Sequence, residues 1–548
     1  MKIYKGEGVS RGVAFGKISL YEKAAAAAEK YTVENTENEI ARFENARAQA
    51  IAQLALLFTK TKESLGEENS LLFQIHQMML EDLDYCDSIK EIIRGEKVNA
   101  EYAVSETAAR FAEMFATMED EYMKGRAADV RDVSGRVLDI LTGGGKEKTI
   151  LQQPYILVAE DLAPSETAQL DKTYVQAFVT AGGSRNSHTA IFARTMGIPA
   201  VIGLEGALQN LPDGADCIVD GAAGEVYVEP DQETAERLRK KQEAEQARKK
   251  LLSLYKDRPT QTKDGKKTEL CANIGNLNDL QFALDNGAEG IGLFRSEFLY
   301  LESTDYPTEE AQFTVYKTAL QKMAGKRVVI RTLDIGADKQ AAYFDLPKEE
   351  NPAMGMRAIR ICLTRPAVFE TQLRALYRSS AYGRLAILLP MITSVEEVRR
   401  VKEIAAGVQR RLEEENIPFA PDVELGVMIE TPAAAVISDL LAKEVDFFSV
   451  GTNDLTQYTL AADRQNQSIA QFCDTHHPAL LRLIRLSADN IHKEGKWIGI
   501  CGELGADESL AETFMRMGID ELSVTPTAIL PLRAAIAELD LSNEEEKQ

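Results

Sequence analysis

The spacing of apolar and polar positions changes character three times along the chain. The opening residues, KIYKGEGVSRGVAFGKISLY, set β-favouring side chains between glycine turns and predict short strands. From about 22 to 142 the apolar residues recur at helical spacing in four segments. These are AAAAAEKYTVENTENEIARFENARAQAIAQLALL, ENSLLFQIHQMMLEDLDYCDSIKEII, VNAEYAVSETAARFAEMFATMEDEYM and AADVRDVSGRVLDILTG. Four helices with short connections predict an up-and-down bundle. After GGGKEK the strand signals return in PYILVAEDL, VQAFVTAGG, PAVIG, CIVDG and EVYVEP. With the opening residues they predict an α/β unit interrupted by the helical one. The stretch 231–256, DQETAERLRKKQEAEQARKKLLSLYK, shows almost no apolar face until its end and reads as a solvated connecting helix.

Beyond residue 260 strands and helices alternate. ELCANIG, GIGLFR, RVVIRTLD, LAILLPM, ELGVMIE, DFFSVGT, WIGICGE and ELSVTP are eight candidate strands, the number a (β/α)8 barrel requires. An open doubly wound sheet is the alternative. The expected organisation is therefore multidomain α/β. An α/β domain spans 1–20 and 148–230, with a helical domain at 21–147 inserted in it. A linker helix follows at 231–259, then a barrel at 260–548.

Composition narrows the function. At 548 residues, 45% hydrophobic and 27% charged, the chain is ordinary for a soluble protein of several domains. Its net charge of −23 argues against a nucleic-acid binder and for basic protein partners, or small anions held in local basic pockets. The excess is uneven: residues 21–147 hold 15 basic and 25 acidic side chains. Six scattered cysteines without a C-x-x-C pair argue for a reducing compartment and against a disulfide framework or cysteine zinc site. No signal-peptide core opens the chain and no apolar run is long enough to span a membrane, so the cytoplasm is expected.

Candidate chemistry gathers in two places. In TAGGSRNSHTAIFARTMGIPAVIG (180–203) a glycine turn leads into a helix, and Ser187 as N-cap sets His188 in the first turn. Amides there receive phosphate, and imidazole is a competent nucleophile. Taken alone, a histidine near a cap is as readily structural. The second place is the set of barrel strand ends. It carries Arg295, Arg331 with Asp334, Glu430, Asn453 with Asp454, and Cys501 with Glu503, and Arg357 and Arg464 lie near it in sequence. Carboxylates beside arginines are how Mg²⁺ sites that handle phosphates are built, and the arginine forks match a small, strongly anionic substrate. Any one of these could be a structural ion pair; the assembled set points to chemistry. Cys501, otherwise a packing residue, is a candidate proton donor or acceptor beside such charges. His76, amid QIHQMML, reads as packing, and His476–His477 as loop.

These segments resemble Enzyme I of the bacterial phosphotransferase system, the phosphoenolpyruvate–protein phosphotransferase family. SRNSHTAIFAR resembles its phosphohistidine signature and DFFSVGTNDLTQYTLAADR its phosphoenolpyruvate-enzyme signature. GLFRSEFLY, VVIRTLDIGADK, NPAMGMRAIRI, VMIETPAA and GICGELGAD follow in family order, and the likeness covers nearly the whole chain. The resemblance implies that His188 accepts the phosphoryl group and that Thr167, in APSETAQL, orients its ring. Glu430 and Asp454 would hold Mg²⁺. Arg295, Arg331, Arg464 and Asn453, with Arg357 and Asp454 at the same mouth, would bind phosphoenolpyruvate. Cys501 would protonate C3 of the departing enolpyruvate. The implied acceptor is the histidine phosphocarrier HPr, docked on the acidic helical insertion in the first step of sugar uptake. A swinging phosphohistidine domain and a homodimer through the barrel are implied too.

One departure lies in the phosphohistidine turn, where Gly183 and Ser184 stand for two glycines and Asn186 for threonine. A dikinase or phosphoenolpyruvate synthase would need a nucleotide-binding domain, but the region before the phosphohistidine unit is helical and lacks a Gly-rich phosphate loop. A nitrogen-regulatory variant would carry a further N-terminal sensory domain. A non-catalytic scaffold would be expected to lose His188, Glu430, Asp454 or Cys501, and all four are present.

Overall fold

Continuous apolar runs such as YILVA at 155–159 are buried at every position, the mark of a strand covered on both faces. In the computed structural model such runs build two compact units, Met1–Arg248 and Lys249–Gln548. The described residues are 1–21, 29–65, 67–117, 121–143, 153–160, 162, 164–167, 174–183, 188–204, 211–301, 303–336, 341–464 and 466–542.

The first unit holds an eight-stranded sheet. Its strands are β1 (Lys2–Lys5), β2 (Glu7–Ser10), β3 (Val13–Tyr21), β4 (Tyr155–Ala159), β5 (Val175–Thr180), β6 (Ala200–Ile202), β7 (Asp216–Asp220) and β8 (Glu225–Val228). The order is β1-β8-β7-β3-β4-β5-β6-β2, with β3 to β6 parallel and the flanking pairs antiparallel. Alternation along the strands divides the core: Ile156, Val158, Ala177 and Val179 face one cluster, while Tyr155, Leu157, Ala159 and Phe178 face the other.

Among the described residues between β3 and β4 run five helices, where the periodicity predicts four: α1 (Thr36–Leu65), α2 (Glu67–Glu81), α3 (Leu83–Glu96), α4 (Ala100–Ala116) and α5 (Glu121–Leu141). The second predicted helix breaks at Asp82, whose carboxylate accepts the Tyr85 amide at 2.9 Å and caps α3. Phe43, Leu54, Phe73, Leu80, Ile89 and Val137 fill the bundle. His76 is fully buried, with Nε2 3.3 Å from Asp129 and Nδ1 3.8 Å from Asp132.

After β4 come the short α6 (Pro164–Thr167), α7 (His188–Met196) and α8 (Gln232–Ser253). The first half of α8 is not the solvated helix its charge suggests. Leu238 is buried with Val13, Ile218 and Tyr227, and Lys241 meets Asp220 at 2.5 Å. Leu238, with Ala235 packed against the same cluster, and the long side-chain stems seat that half.

The second unit is a closed parallel barrel of β9 (Glu269–Ile274), β10 (Ile291–Arg295), β11 (Val328–Arg331), β12 (Leu385–Leu389), β13 (Glu424–Ile429), β14 (Phe447–Val450), β15 (Trp497–Ile500) and β16 (Glu521–Val524). All eight coincide with the predicted strands. Pairing of β16 with β9, Glu521 to Glu269 through Val524 to Ala272, closes the ring and excludes the open sheet. Leu293, Val329, Ala386, Leu388, Met428, Phe447 and Cys501 cluster together across the barrel strands. At the N-terminal end Arg327 bridges Glu269 (2.5 Å) and Glu521 (2.8 Å) and stacks 3.8 Å from the Trp497 ring.

Gly426 pairs with Phe447, and a Cβ on it would lie 2.4 Å from that ring. Gly426→Ala is therefore expected to destabilise the barrel by about 1–3 kcal/mol through overpacking. Chemical denaturation of the full chain checks this; an unchanged barrel transition would show that the interior has slack.

Candidate active site at the barrel mouth

A parallel barrel directs every strand's C-terminal end to one rim, so polar residues placed there converge whatever their distance in sequence. Arg295 and Arg331 end β10 and β11 and are register partners. Arg295 is exposed; Arg331 is buried. Burial of a guanidinium demands compensation, and Arg331 takes it from Glu297 at 2.5 Å and Asp334 at 3.0 Å. Arg357 is buried too and bridges Asp334 (2.9 Å) and Asp454 (3.3 Å) through one Nη2. Arg464 approaches the other oxygen of Asp454 at 3.7 Å.

Two donors in this network are left over. Nε of Arg331 and Nε of Arg357 are buried without a hydrogen-bond partner among the described residues. A buried unpaired donor costs about 1–3 kcal/mol, more when charged, and an anionic oxygen would satisfy each.

Glu430 follows β13 and is buried. Its Oε1 accepts the Met391 amide at 2.5 Å, and Met391 is held at φ +56° to present it. Gly451 leaves room on the other side, since a Cβ there would stand 3.0 Å from Glu430 Oε2. Burial first, then the charges of Asp454 and Asp334, push the Glu430 carboxyl up to about 8, against the pull of Arg331 and Arg357. Asn453 and Asp454 lie in the first turn of the Thr452–Leu460 helix, which continues from β14. Asn453 exchanges two hydrogen bonds with Glu503, giving its amide to Oε1 at 3.1 Å and accepting the Glu503 N–H at 3.2 Å. Cys501 follows β15, buried, with Sγ donating to the Val450 carbonyl at 3.6 Å. Burial pushes its thiol up to about 11, so the sulfur carries its proton at neutral pH.

The histidine region belongs to the first unit. His188 opens α7 as predicted; Ser184, Asn186 and Ser187 lie outside the described residues. Gly183 supplies the positive φ of the turn, +101°. Thr189 donates to the Leu162 carbonyl at 3.4 Å, tying the start of α7 to the chain that leads into α6. Thr167 is buried at the end of α6, where the neighbouring Glu166 accepts the Tyr21 hydroxyl at 2.6 Å.

Residues 249–541 match the PEP-binding domain of PEP-utilising enzymes, 5–126 their N-terminal domain and 151–224 their mobile domain. The phosphoenolpyruvate-protein phosphotransferase of Geobacillus stearothermophilus is 46% identical over 98% of this chain and 93% of its own length. Those of Priestia megaterium and Bacillus subtilis are each 44% identical, over 98% of this chain and 94% and 95% of theirs. The chain belongs to the phosphoenolpyruvate-protein phosphotransferase family. The sequence resemblance and the barrel fold agree with this membership.

Three contributors to the mouth escape a sequence reading. Glu297, two residues after Arg295, is the buried counter-ion of Arg331. Met391 acts through its amide alone. Tyr458, one helical turn after Asp454, accepts a hydrogen bond from Arg357 Nη1 at 3.0 Å. The one metal-spaced cluster among the described residues, Glu269, Cys271 and Glu521, lies at the opposite end of the barrel, already neutralised by Arg327.

The elevated Glu430 carboxyl has a measurable consequence. Its contribution to stability is complete below the ordinary carboxylate range and is lost as pH climbs through about 8. In chelator-treated protein, the fall in barrel stability between pH 5.5 and 8.5 should shrink in Glu430→Gln. An identical pH slope in the two proteins would clear Glu430 as its source.

Proposed function

We propose that the protein transfers the phosphoryl group of phosphoenolpyruvate to His188 and then to a histidine of HPr, releasing pyruvate as the first step of sugar uptake. The observation that carries this reading is the pair of orphaned guanidinium donors beside a buried carboxylate pair and a protonated thiol at one barrel mouth. Such a mouth suits a substrate bearing both phosphate and carboxylate. Arg331 and Arg357, with Arg295, Arg464 and Asn453 at the rim, would hold those groups and keep the scissile P–O bond in line with the incoming imidazole.

The donor set suits a divalent cation. Glu430 and Asp454 offer hard oxygen ligands, and since burial above all raises the Glu430 carboxyl, a cation beside it would favour the ionised form. Bound there, Mg²⁺ would neutralise developing charge on the phosphoryl and leaving oxygens. In the transfer itself the bond from phosphorus to the enol oxygen breaks as one forms to a ring nitrogen of His188. The enolate takes its proton at C3 from the Cys501 thiol, and solvent returns one to the thiolate. Thr167 would orient the imidazole.

The helical insertion supports the docking of a basic carrier. Met78 and Leu83 are 64% and 75% exposed, and Glu81, Asp82 and Asp84, close to them in the chain, are exposed as well. We assign 1–20 and 148–230 to the phosphohistidine domain, 21–147 to HPr binding, 231–259 to the linker and 260–548 to phosphoenolpyruvate binding and dimerisation. Six cysteines without a disulfide, and no helix among the described residues long and apolar enough to cross a membrane, support the cytoplasm.

Incubation with phosphoenolpyruvate labelled in the phosphate, plus Mg²⁺, should yield acid-labile label on the wild type and none on His188→Ala. A wild type that takes up no label sinks the activity; label retained by the variant sinks the residue assignment. Cys501→Ala should still take up label yet release pyruvate at least about 100-fold more slowly, the usual weight of a lost general acid. An unaffected rate would remove the thiol from the reaction.

A further inference from the structure

The segment between β11 and the Ile359–Thr364 helix carries Arg357 into the mouth, and its geometry is unusual. Ala358, next to Arg357, is held at φ +51° and ψ −124°, a conformation an alanine adopts only under constraint from its surroundings. Three side chains supply that constraint. Glu349 accepts the Met356 amide with both oxygens, at 3.1 and 3.0 Å. Arg360 donates to the carbonyls of Met354 (2.7 Å) and Gly355 (2.8 Å). Glu349 belongs to the segment itself and Arg360 to the first turn of the helix that follows it.

The third, Tyr458, belongs to a different element. It sits four residues after Asp454 on the Thr452–Leu460 helix, so the two side chains share a face. Its hydroxyl works in both directions: it accepts from Arg357 Nη1 at 3.0 Å and donates to the Ala353 carbonyl. Arg357 Nη2 is taken by Asp334 and Asp454, which leaves Nε as the buried donor for an anion. A guanidinium is planar, so fixing Nη1 and Nη2 fixes the direction of Nε.

We infer that Tyr458 is a positioning residue for phosphoenolpyruvate binding: its hydroxyl locks the 349–357 segment to the helix bearing Asp454 and aims Arg357 Nε at the substrate. This rests on the reading of Arg357 as a substrate-binding group. Phenylalanine preserves the half-buried ring and removes both hydrogen bonds, so Tyr458→Phe isolates the hydroxyl.

The test is a rapid-quench measurement of pyruvate release against phosphoenolpyruvate concentration, with Mg²⁺ and the full chain, for wild type, Tyr458→Phe, Arg357→Lys and the double variant. Tyr458→Phe should raise the half-saturating concentration roughly tenfold, as loss of a hydrogen bond to a charged group implies, and leave the maximal rate within about twofold. In the Arg357→Lys background the same substitution should add less than about twofold, because the hydroxyl acts through that arginine. Equal factors in both backgrounds, or an unchanged half-saturation, would overturn the inference. An Arg357→Lys protein that saturates like wild type would instead sink the substrate-binding role of Arg357, and the inference with it. Hydrogen–deuterium exchange gives a readout apart from activity. Amides of 353–357 should exchange faster in Tyr458→Phe while β11 and β14 stay protected, and unchanged exchange there would count against the lock.

Discussion

Buried guanidinium groups govern the barrel mouth. Two arginines out of contact with water must each be met by carboxylates at hydrogen-bond distance, or the desolvation of the charge would destabilise the fold by several kcal/mol. Arg331 between Glu297 and Asp334, and Arg357 between Asp334 and Asp454, meet that demand through a shared aspartate. The counter-ions come from the chain after β10, β11 and β14, so they meet only if the strand register is right. Closure of the barrel by β16 and β9 is therefore a condition of the site and not merely its frame. The same network leaves Nε of each arginine without a partner among the described residues, where an anionic oxygen would satisfy it.

One physical cause, burial, raises the proton affinity of two groups at the mouth. At Glu430 it raises a carboxyl to about 8, so that ionisation there calls for a cation alongside. At Cys501 it raises a thiol to about 11, so that the sulfur keeps its proton at neutral pH. Burial is the first cause at both, and at Glu430 the charges of Asp454 and Asp334 add to it. A dry pocket with arginines on one side and carboxylates on the other does both, which is why the two lie within one another's electrostatic reach.

The barrel was legible in the sequence because parallel strands buried on both faces are uninterrupted apolar runs, and polar residues at their ends stand out against them. LAILLPM and VMIE make the point: an unbroken run of apolar residues, then the rim. What was not legible depends on backbone or on distant pairing. Met391 contributes an amide through a positive φ that its side chain does not announce. Glu297 lies in the first turn of a short helix, where an acid is ordinary; only burial against Arg331 makes it part of the site. Tyr458 could have been suspected from its spacing to Asp454, but its partners lie about a hundred residues away. In the bundle, a helical period that runs straight through Asp82 hid the cap that splits α2 from α3.

The net charge of −23 raises the question of how a strongly anionic substrate is admitted. Exposed charges more than a Debye length away, about 8 Å at physiological ionic strength, are largely screened, whereas buried ones are not. The acidic residues of α2 and α3 that flank Met78 and Leu83 are exposed. Charges exposed in this way act on whatever meets their own surface and are screened beyond it. At the barrel mouth the charges are buried, Arg295 adds an exposed cation at the rim, and the carboxylates are already engaged by guanidinium groups or protonated. A phosphate entering there meets donors, not the average of the surface. Burial thus sets the field inside the mouth apart from the net charge of the surface.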